Sequence, residues 1–270
     1  MKGRESREDR TRAIRLCERL FERWDPMFLE TVDPTRAERV GGILQVLGGH
    51  FRGPFTVLDL GSGPGTLTAR VLGHFPSSRV VAVDTDPVLL RIGGAALHRY
   101  RRRTAWVLAD LREKSWSSAL PARRFDAAVS SLALHWLKED EIRALYRGLR
   151  PLVRSGGLLV NGDYLPSSQP KGPGRTVERH WEPERGRAGL RAFRTEWERW
   201  WGAVAKEPSM RDVLQERQVR MPGKIPPRRT TGPRIPVSLE AHEQALRDAG
   251  FRESTVGWRD RGFRILIGAR

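Results

Sequence analysis

The sequence predicts an α/β fold built on a doubly wound, largely parallel sheet. Three observations point there. From Phe55 onward short apolar runs alternate with helical stretches, the first run ends in a glycine-rich turn, and acids follow the first three runs. Strand–helix alternation implies parallel strands joined by right-handed crossovers. With 270 residues, 39% of them hydrophobic, the chain can bury the core of one large domain.

Before the alternation, residues 7–24 and 34–48 carry apolar side chains at helical spacing, such as Ile14, Leu16, Leu20 and Phe21, and read as two helices. Strands are expected at 55–60, 79–84, 104–109, 125–131 and 156–163, with helices at about 65–74, 86–100 and 139–150. The rhythm then breaks between Pro166 and Pro236, a proline-bordered stretch holding one helix at 190–204. Phe193, Trp197, Trp200, Trp201 and Val204 fall on one face of it. A helix at 239–249, stopped by Gly250, precedes two runs at 252–258 and 263–269 that read as a hairpin. The chain thus divides as a single domain: N-terminal helices (1–50), a ligand-binding core (51–164), an inserted segment (165–237), and a final helix with hairpin (238–270).

Composition excludes several classes. The lone Cys17 cannot form an internal disulfide, the charged N-terminus does not read as a secretory signal, and no apolar run approaches the roughly 20 residues that span a bilayer. A cytoplasmic protein without membrane partners is expected. No His, Cys and acid cluster has metal-ligand spacing, so no metal is expected. Lys and Arg exceed Asp and Glu by seventeen, with almost all of the surplus in the core and the insertion. The densest run, Arg99-Tyr100-Arg101-Arg102-Arg103, falls where a helix should end, and cations suit the negative end of a helix dipole there.

The chemistry centres on Val57-Leu58-Asp59-Leu60-Gly61-Ser62-Gly63-Pro64-Gly65-Thr66. A strand runs into three glycines and then a helix, so the backbone can turn tightly and admit a ligand near the helix N-terminus. The spacing is G-x-G-x-G, and Thr66 stands where a dinucleotide fingerprint has its last glycine. Asp59, two residues before Gly61, is suited to holding an ammonium group through the loop. Asp84, after the second strand, lies where an acid accepts from ribose hydroxyls. Asp86 before Pro87 reads as a helix N-cap. Asp110 can accept from an adenine amino group while Leu111 covers the ring. Three acids at the carboxyl ends of successive strands mark the edge where open α/β sheets bind ligands.

Together these motifs resemble the class I S-adenosylmethionine-dependent methyltransferases, over about Phe55 to Asp163. The fourth strand, Phe125 to Trp136, with Leu149-Arg150-Pro151 and Ser155-Gly156-Gly157, looks like the small-molecule branch that includes ubiquinone/menaquinone-pathway and trans-aconitate methyltransferases. The resemblance implies a Rossmann-like sheet of order 3-2-1-4-5-7-6 with strand 7 antiparallel, and an inserted helical lid. It implies S-adenosylmethionine as cofactor, S-adenosylhomocysteine as product, and cofactor contacts at Asp59, Gly61, Ser62, Gly63, Gly65, Asp84, Thr85, Asp110, Leu111 and Ser130.

A sulfonium is already an activated methyl donor, so alignment of the acceptor and exclusion of water are the main contributions expected of the protein. His135, after the fourth strand, is the candidate base; the bland alternative is that His135 and Trp136 simply start the next helix and pack there. Tyr164 either lines the acceptor pocket or caps the sheet. His180 has no supporting spacing and reads as surface. The tryptophan-rich helix is read as a lid, which Trp24, Asp25 and Phe28 would complete. The expected acceptor is a small molecule of anionic or aromatic character. The basic charge supports an alternative, an RNA or other nucleic-acid methyltransferase, against which stand the missing Asn/Asp-Pro-Pro-Tyr/Phe motif and the position of Arg99–Arg103 opposite the site. A non-catalytic cofactor-binding protein is the third reading.

Overall fold

The structure is a computed structural model, which describes residues 7–168, 186–223, 236–260 and 262–270. Among these, seven strands form one sheet: β1 (Thr56–Leu60), β2 (Arg79–Asp84), β3 (Thr104–Leu108), β4 (Phe125–Ser131), β5 (Val153–Tyr164), β6 (Glu253–Asp260) and β7 (Phe263–Ala269). Their order is β3-β2-β1-β4-β5-β7-β6. β1 to β5 run parallel, and β7 is antiparallel to both β5 and β6. This is the expected Rossmann-like order.

The helices are α1 (Arg7–Leu29), α2 (Arg36–His50), α3 (Thr66–His74), α4 (Pro87–Ala96), α5 (Glu139–Leu149), α6 (Gly186–Lys206), α7 (Arg211–Arg220) and α8 (Leu239–Asp248). Strand pleating divides the core into two layers. Val57, Ala127, Val160 and Ile265 face α2 and α3, where Ile43, Leu47 and Val71 pack. Their neighbours Leu58, Ala128, Leu159 and Leu266 face α5 and α8, with Ile142, Tyr146 and Leu246. A third cluster lies off the sheet, where α1, α4, α6 and α7 bring together Trp24, Phe28, Ile92, Phe193, Trp200, Trp201 and Val213. Trp24 meets Phe28, Trp197 and Trp200 at centroid distances of 5.4, 5.9 and 5.2 Å, and the Trp200 indole N–H donates to the Leu20 carbonyl at 2.8 Å. Such aromatic pairs add about 0.5–1.5 kcal/mol each beyond their buried area.

Some boundaries differ from the sequence expectation. α1 runs five residues past 24 through Pro26, whose carbonyl accepts from the Glu30 N–H at 2.9 Å and carries the helix on. The helix expected over 86–100 is α4 followed by a 3₁₀ turn at His98–Tyr100. α7 was not expected at all. Its side chains show no apolar stripe, and it is held instead by Val213 and by Arg217, whose guanidinium donates to Asp86 at 2.7 Å and lies 4.9 Å from the Trp201 ring centre. Arg103 donates to the carbonyls of Leu72, Phe75 and Ser78, closing the C-terminal end of α3. His180 lies outside the described residues. No described helix is long and apolar enough to cross a membrane, and no described group of His, Cys, Asp and Glu is placed to hold a metal.

Candidate functional site

The glycine turn joins β1 to α3 at the carboxyl edge of the sheet. Gly61, Gly63 and Gly65 all have positive φ, at 67°, 57° and 86°, a region that costs any other residue steric strain. The N–H groups of Gly61 and Ser62 both donate to the Val83 carbonyl at 2.9 Å, lashing the turn to β2. Each glycine meets different surroundings. A Cβ at Gly61 would lie 2.4 Å from the Ala133 Cβ, and one at Gly65 would lie 2.5 Å from the Trp106 ring. At Gly63 the nearest atom would be Trp24 Cζ2 at 3.9 Å, so Gly63 faces open space under the indole of α1.

The acids take up distinct tasks. Asp59 is 1% exposed, beneath the turn, and the Thr68 hydroxyl and N–H donate to it, the former at 2.6 Å. Gly65 at the N-cap of α3 offers no side chain, so Asp59 supplies the missing cap from β1. Burial pushes its carboxyl up to about 7, against the Thr68 bonds. Asp84 accepts from the Gly63 N–H at 2.7 Å and the Asp86 N–H at 2.9 Å, and burial pushes it up to about 6 despite those donors. Thr85 is half-buried between Asp84 and Asp86, and Asp86 caps α4 through the Val88 N–H at 3.0 Å. Asp110 accepts from Arg112 at 2.5 Å, a hydrogen bond that holds its carboxyl below the usual range, and Leu111 is half-buried beside it. Ser62 sits in the turn, its hydroxyl 3.4 Å from the Gly63 carbonyl.

One expected contact is corrected. Ser130 does not face a ligand: it is fully buried, and its hydroxyl donates to the Leu60 carbonyl at 2.9 Å, stapling β4 to β1. Tyr164 packs on the hairpin, its ring 5.4 Å from that of Phe263 and against Gly262.

After β4 the chain passes through Leu132, the only non-glycine residue among those described with positive φ, at 53°. That conformation, held by the Leu132 N–H donating to the Gly162 carbonyl at 3.0 Å, sets Ala133 against Gly61 and delivers His135 to the end of β5. There His135 meets Asp163, which the sequence reading did not single out. The only signal available was an acid near the end of β5. Trp136 is exposed beside it, 5.0 Å from the imidazole.

Residues 57–157 match the sequence model of the family described as methyltransferase domain. Over these residues the core of this chain is similar to methyltransferase domains. Similar proteins include the trans-aconitate 2-methyltransferase of Azoarcus sp. (strain BH72), 37% identical over 39% of this chain and 37% of the relative. The malonyl-[acyl-carrier protein] O-methyltransferase of Hahella chejuensis is 30% identical over 40% of this chain and 36% of the relative. The chain spans between 36% and 49% of the length of the trans-aconitate and malonyl relatives it matches. Among solved structures, the pyocyanin biosynthetic protein PhzM superposes with a TM-score of 0.53 at 18% identity, covering 87% of this chain and 56% of that one. PigF with S-adenosylhomocysteine gives 0.51 at 15% identity, covering 86% and 54%. These likenesses establish the fold beyond the matched residues.

The carboxyl edge of the sheet has residues that fit an S-adenosyl cofactor. Gly63 leaves room above the turn, Asp84 holds the turn while keeping acceptor capacity on both oxygens, and Asp110 stands at the next strand end. Asp59, sealed under the turn, acts on any ammonium group only through the loop it caps.

Proposed function

We propose that this chain transfers the methyl group of S-adenosylmethionine to a small-molecule acceptor at the carboxyl edge of β4 and β5. The observation that carries the reading is the Gly63–Asp84 pair: an N–H donated to a carboxylate that keeps free acceptor positions, under a turn with open space above it. The turn holds the amino-acid end of the cofactor, and Asp84 holds the ribose through its hydroxyls. Asp110 and Leu111 receive the adenine. The cofactor supplies an electrophilic methyl group, so the protein's contribution is to orient the acceptor and exclude water.

The acceptor side is formed by His135 and the exposed Trp136, within a single domain spanning the chain. An aromatic or anionic acceptor suits this surface: Trp136 offers a flat face, and the insertion is rich in arginine. The trans-aconitate and malonyl groups in the relatives' names are carboxylates, which supports the anionic class. A cytoplasmic location is consistent with the lone cysteine.

The test is calorimetric titration of S-adenosylhomocysteine into wild type and Asp84→Ala. Micromolar binding by wild type, lost in the variant, is the expected result. Binding should also weaken as pH falls through about 6, where Asp84 gains a proton and can no longer accept two hydroxyls, by at most about tenfold per pH unit. No binding to folded wild type would overturn the reading.

A further inference from the structure

Three N–H donors converge on the two oxygens of Asp163. The His135 backbone N–H donates to Oδ2 at 3.0 Å, the His135 imidazole Nδ1–H to Oδ1 at 2.7 Å, and the Tyr164 N–H to Oδ1 at 2.8 Å. Asp163 is fully buried, whereas the His135 side chain is 23% exposed, so the pair runs from the core outward. No side chain or backbone group among the described residues bonds to the other imidazole nitrogen, Nε2. Only a carboxylate satisfies this geometry, because an amide nitrogen on either position of residue 163 would face an N–H.

We infer that Asp163 is a positioning residue for methyl transfer, holding His135 with its proton on Nδ1 and its Nε2 lone pair turned outward as the general base for the acceptor. This inference rests on the proposed methyl transfer and adds the residue that makes His135 competent for it. Burial alone would push the Asp163 carboxyl up, but the His135 charge and hydrogen bond, with the Tyr164 N–H, outweigh it and hold the group below the usual carboxylate range. The acceptor ionised here bears its proton on the atom that becomes methylated, a hydroxyl or an amine. As that atom forms its bond to the methyl carbon, the carbon–sulfur bond breaks and its electron pair stays on sulfur, giving S-adenosylhomocysteine. Nε2 takes the acceptor's proton, and Asp163 balances the imidazolium charge that results. Position supports the assignment. Leu132, strained at φ 53°, leads directly into Ala133, which lies against the cofactor turn at Gly61, and His135 follows two residues later, so one short loop carries base and cofactor contact together.

The test uses the full chain labelled with 15N-histidine at pH 8, with and without S-adenosylhomocysteine. His135 is assigned by the signal lost in His135→Gln. Wild type is expected to show a protonated Nδ1 and an unprotonated Nε2 at His135. In Asp163→Asn a proton appears on Nε2, with S-adenosylhomocysteine affinity kept within about threefold. Diethyl pyrocarbonate, which acylates an unprotonated imidazole nitrogen, should modify His135 at least tenfold faster in wild type than in Asp163→Asn. A proton on Nε2 in wild type overturns the inference even if the variant fails to fold, and so does a wild-type His135 inert to the reagent. An unchanged tautomer in Asp163→Asn has the same meaning. Failure of wild type to bind S-adenosylhomocysteine would instead remove the methyl-transfer reading, a separate outcome, since the tautomer is read on the free protein too.

Discussion

Replacing Gly61 by alanine probes the contact that joins the cofactor turn to the loop bearing His135. Two independent costs follow from the geometry. The residue sits at φ 67°, and holding a non-glycine residue in such a sparsely populated region costs about 1–3 kcal/mol. The new Cβ would also lie 2.4 Å from the Ala133 Cβ, far inside van der Waals contact, and overpacking of this kind costs about 1–3 kcal/mol. The expected loss is therefore about 2–6 kcal/mol, read as a lower urea midpoint with an unchanged slope. The two costs can be separated. Ala133→Gly in the same chain removes the facing methyl, so the double variant should recover the steric share and keep the backbone share. Non-additivity of about 1–3 kcal/mol in the favourable direction is expected from the cycle. S-adenosylhomocysteine affinity should follow the same order, lowest in Gly61→Ala and partly restored in the double variant. A Gly61→Ala protein within about 0.5 kcal/mol of wild type, or a double variant no better than the sum of the singles, would refute the packing argument.

Asp59 makes stability depend on pH in a stated direction. Its folded value of about 7 lies above its ordinary 3.8, so the folded state holds a proton that the unfolded chain has released, and its stabilising contribution, complete below about 4, is lost as pH rises through about 7. Asp59→Asn keeps an acceptor for Thr68 and should flatten the change in Tm between pH 4 and 8; an equally steep profile would contradict the assignment. Arg217→Met leaves Asp86 buried without its ion-pair partner and should cost about 3–5 kcal/mol in urea unfolding. Adding Asp86→Asn should return much of that loss, and full additivity would argue against a direct pair.

The sheet was readable because parallel strands covered on both faces leave nearly continuous apolar runs, and because α3 and α4 start from a recognisable turn and cap, at Gly65 and Asp86. What escaped had no local signature. α7 is held by the buried Val213 and by an arginine reaching an aspartate 131 residues earlier, not by a stripe of apolar side chains. The pairing of Asp163 with His135 depends on a strand register and on the strained Leu132, neither of which a linear pattern encodes. Ser130 shows the reverse failure. The resemblance placed it against the cofactor, but its buried hydroxyl is taken up by the Leu60 carbonyl of the neighbouring strand. The three glycines looked equivalent, yet Gly61 and Gly65 make way for Ala133 and Trp106, and Gly63 alone opens outward.

The aromatic cluster shared by α1 and α6 has a consequence for how this molecule can change. Trp24 and Trp200 come from opposite sides of the core sequence, yet they form one layer, and Trp24 also borders the space over Gly63. Segments that exchange freely between related enzymes sit on a finished scaffold and touch it at few points. This insertion instead leans on the same helix that roofs the cofactor turn. A graft that replaced α6 would strip Trp24 of its backing and disturb the turn below, so changes in α6 need matching changes in α1.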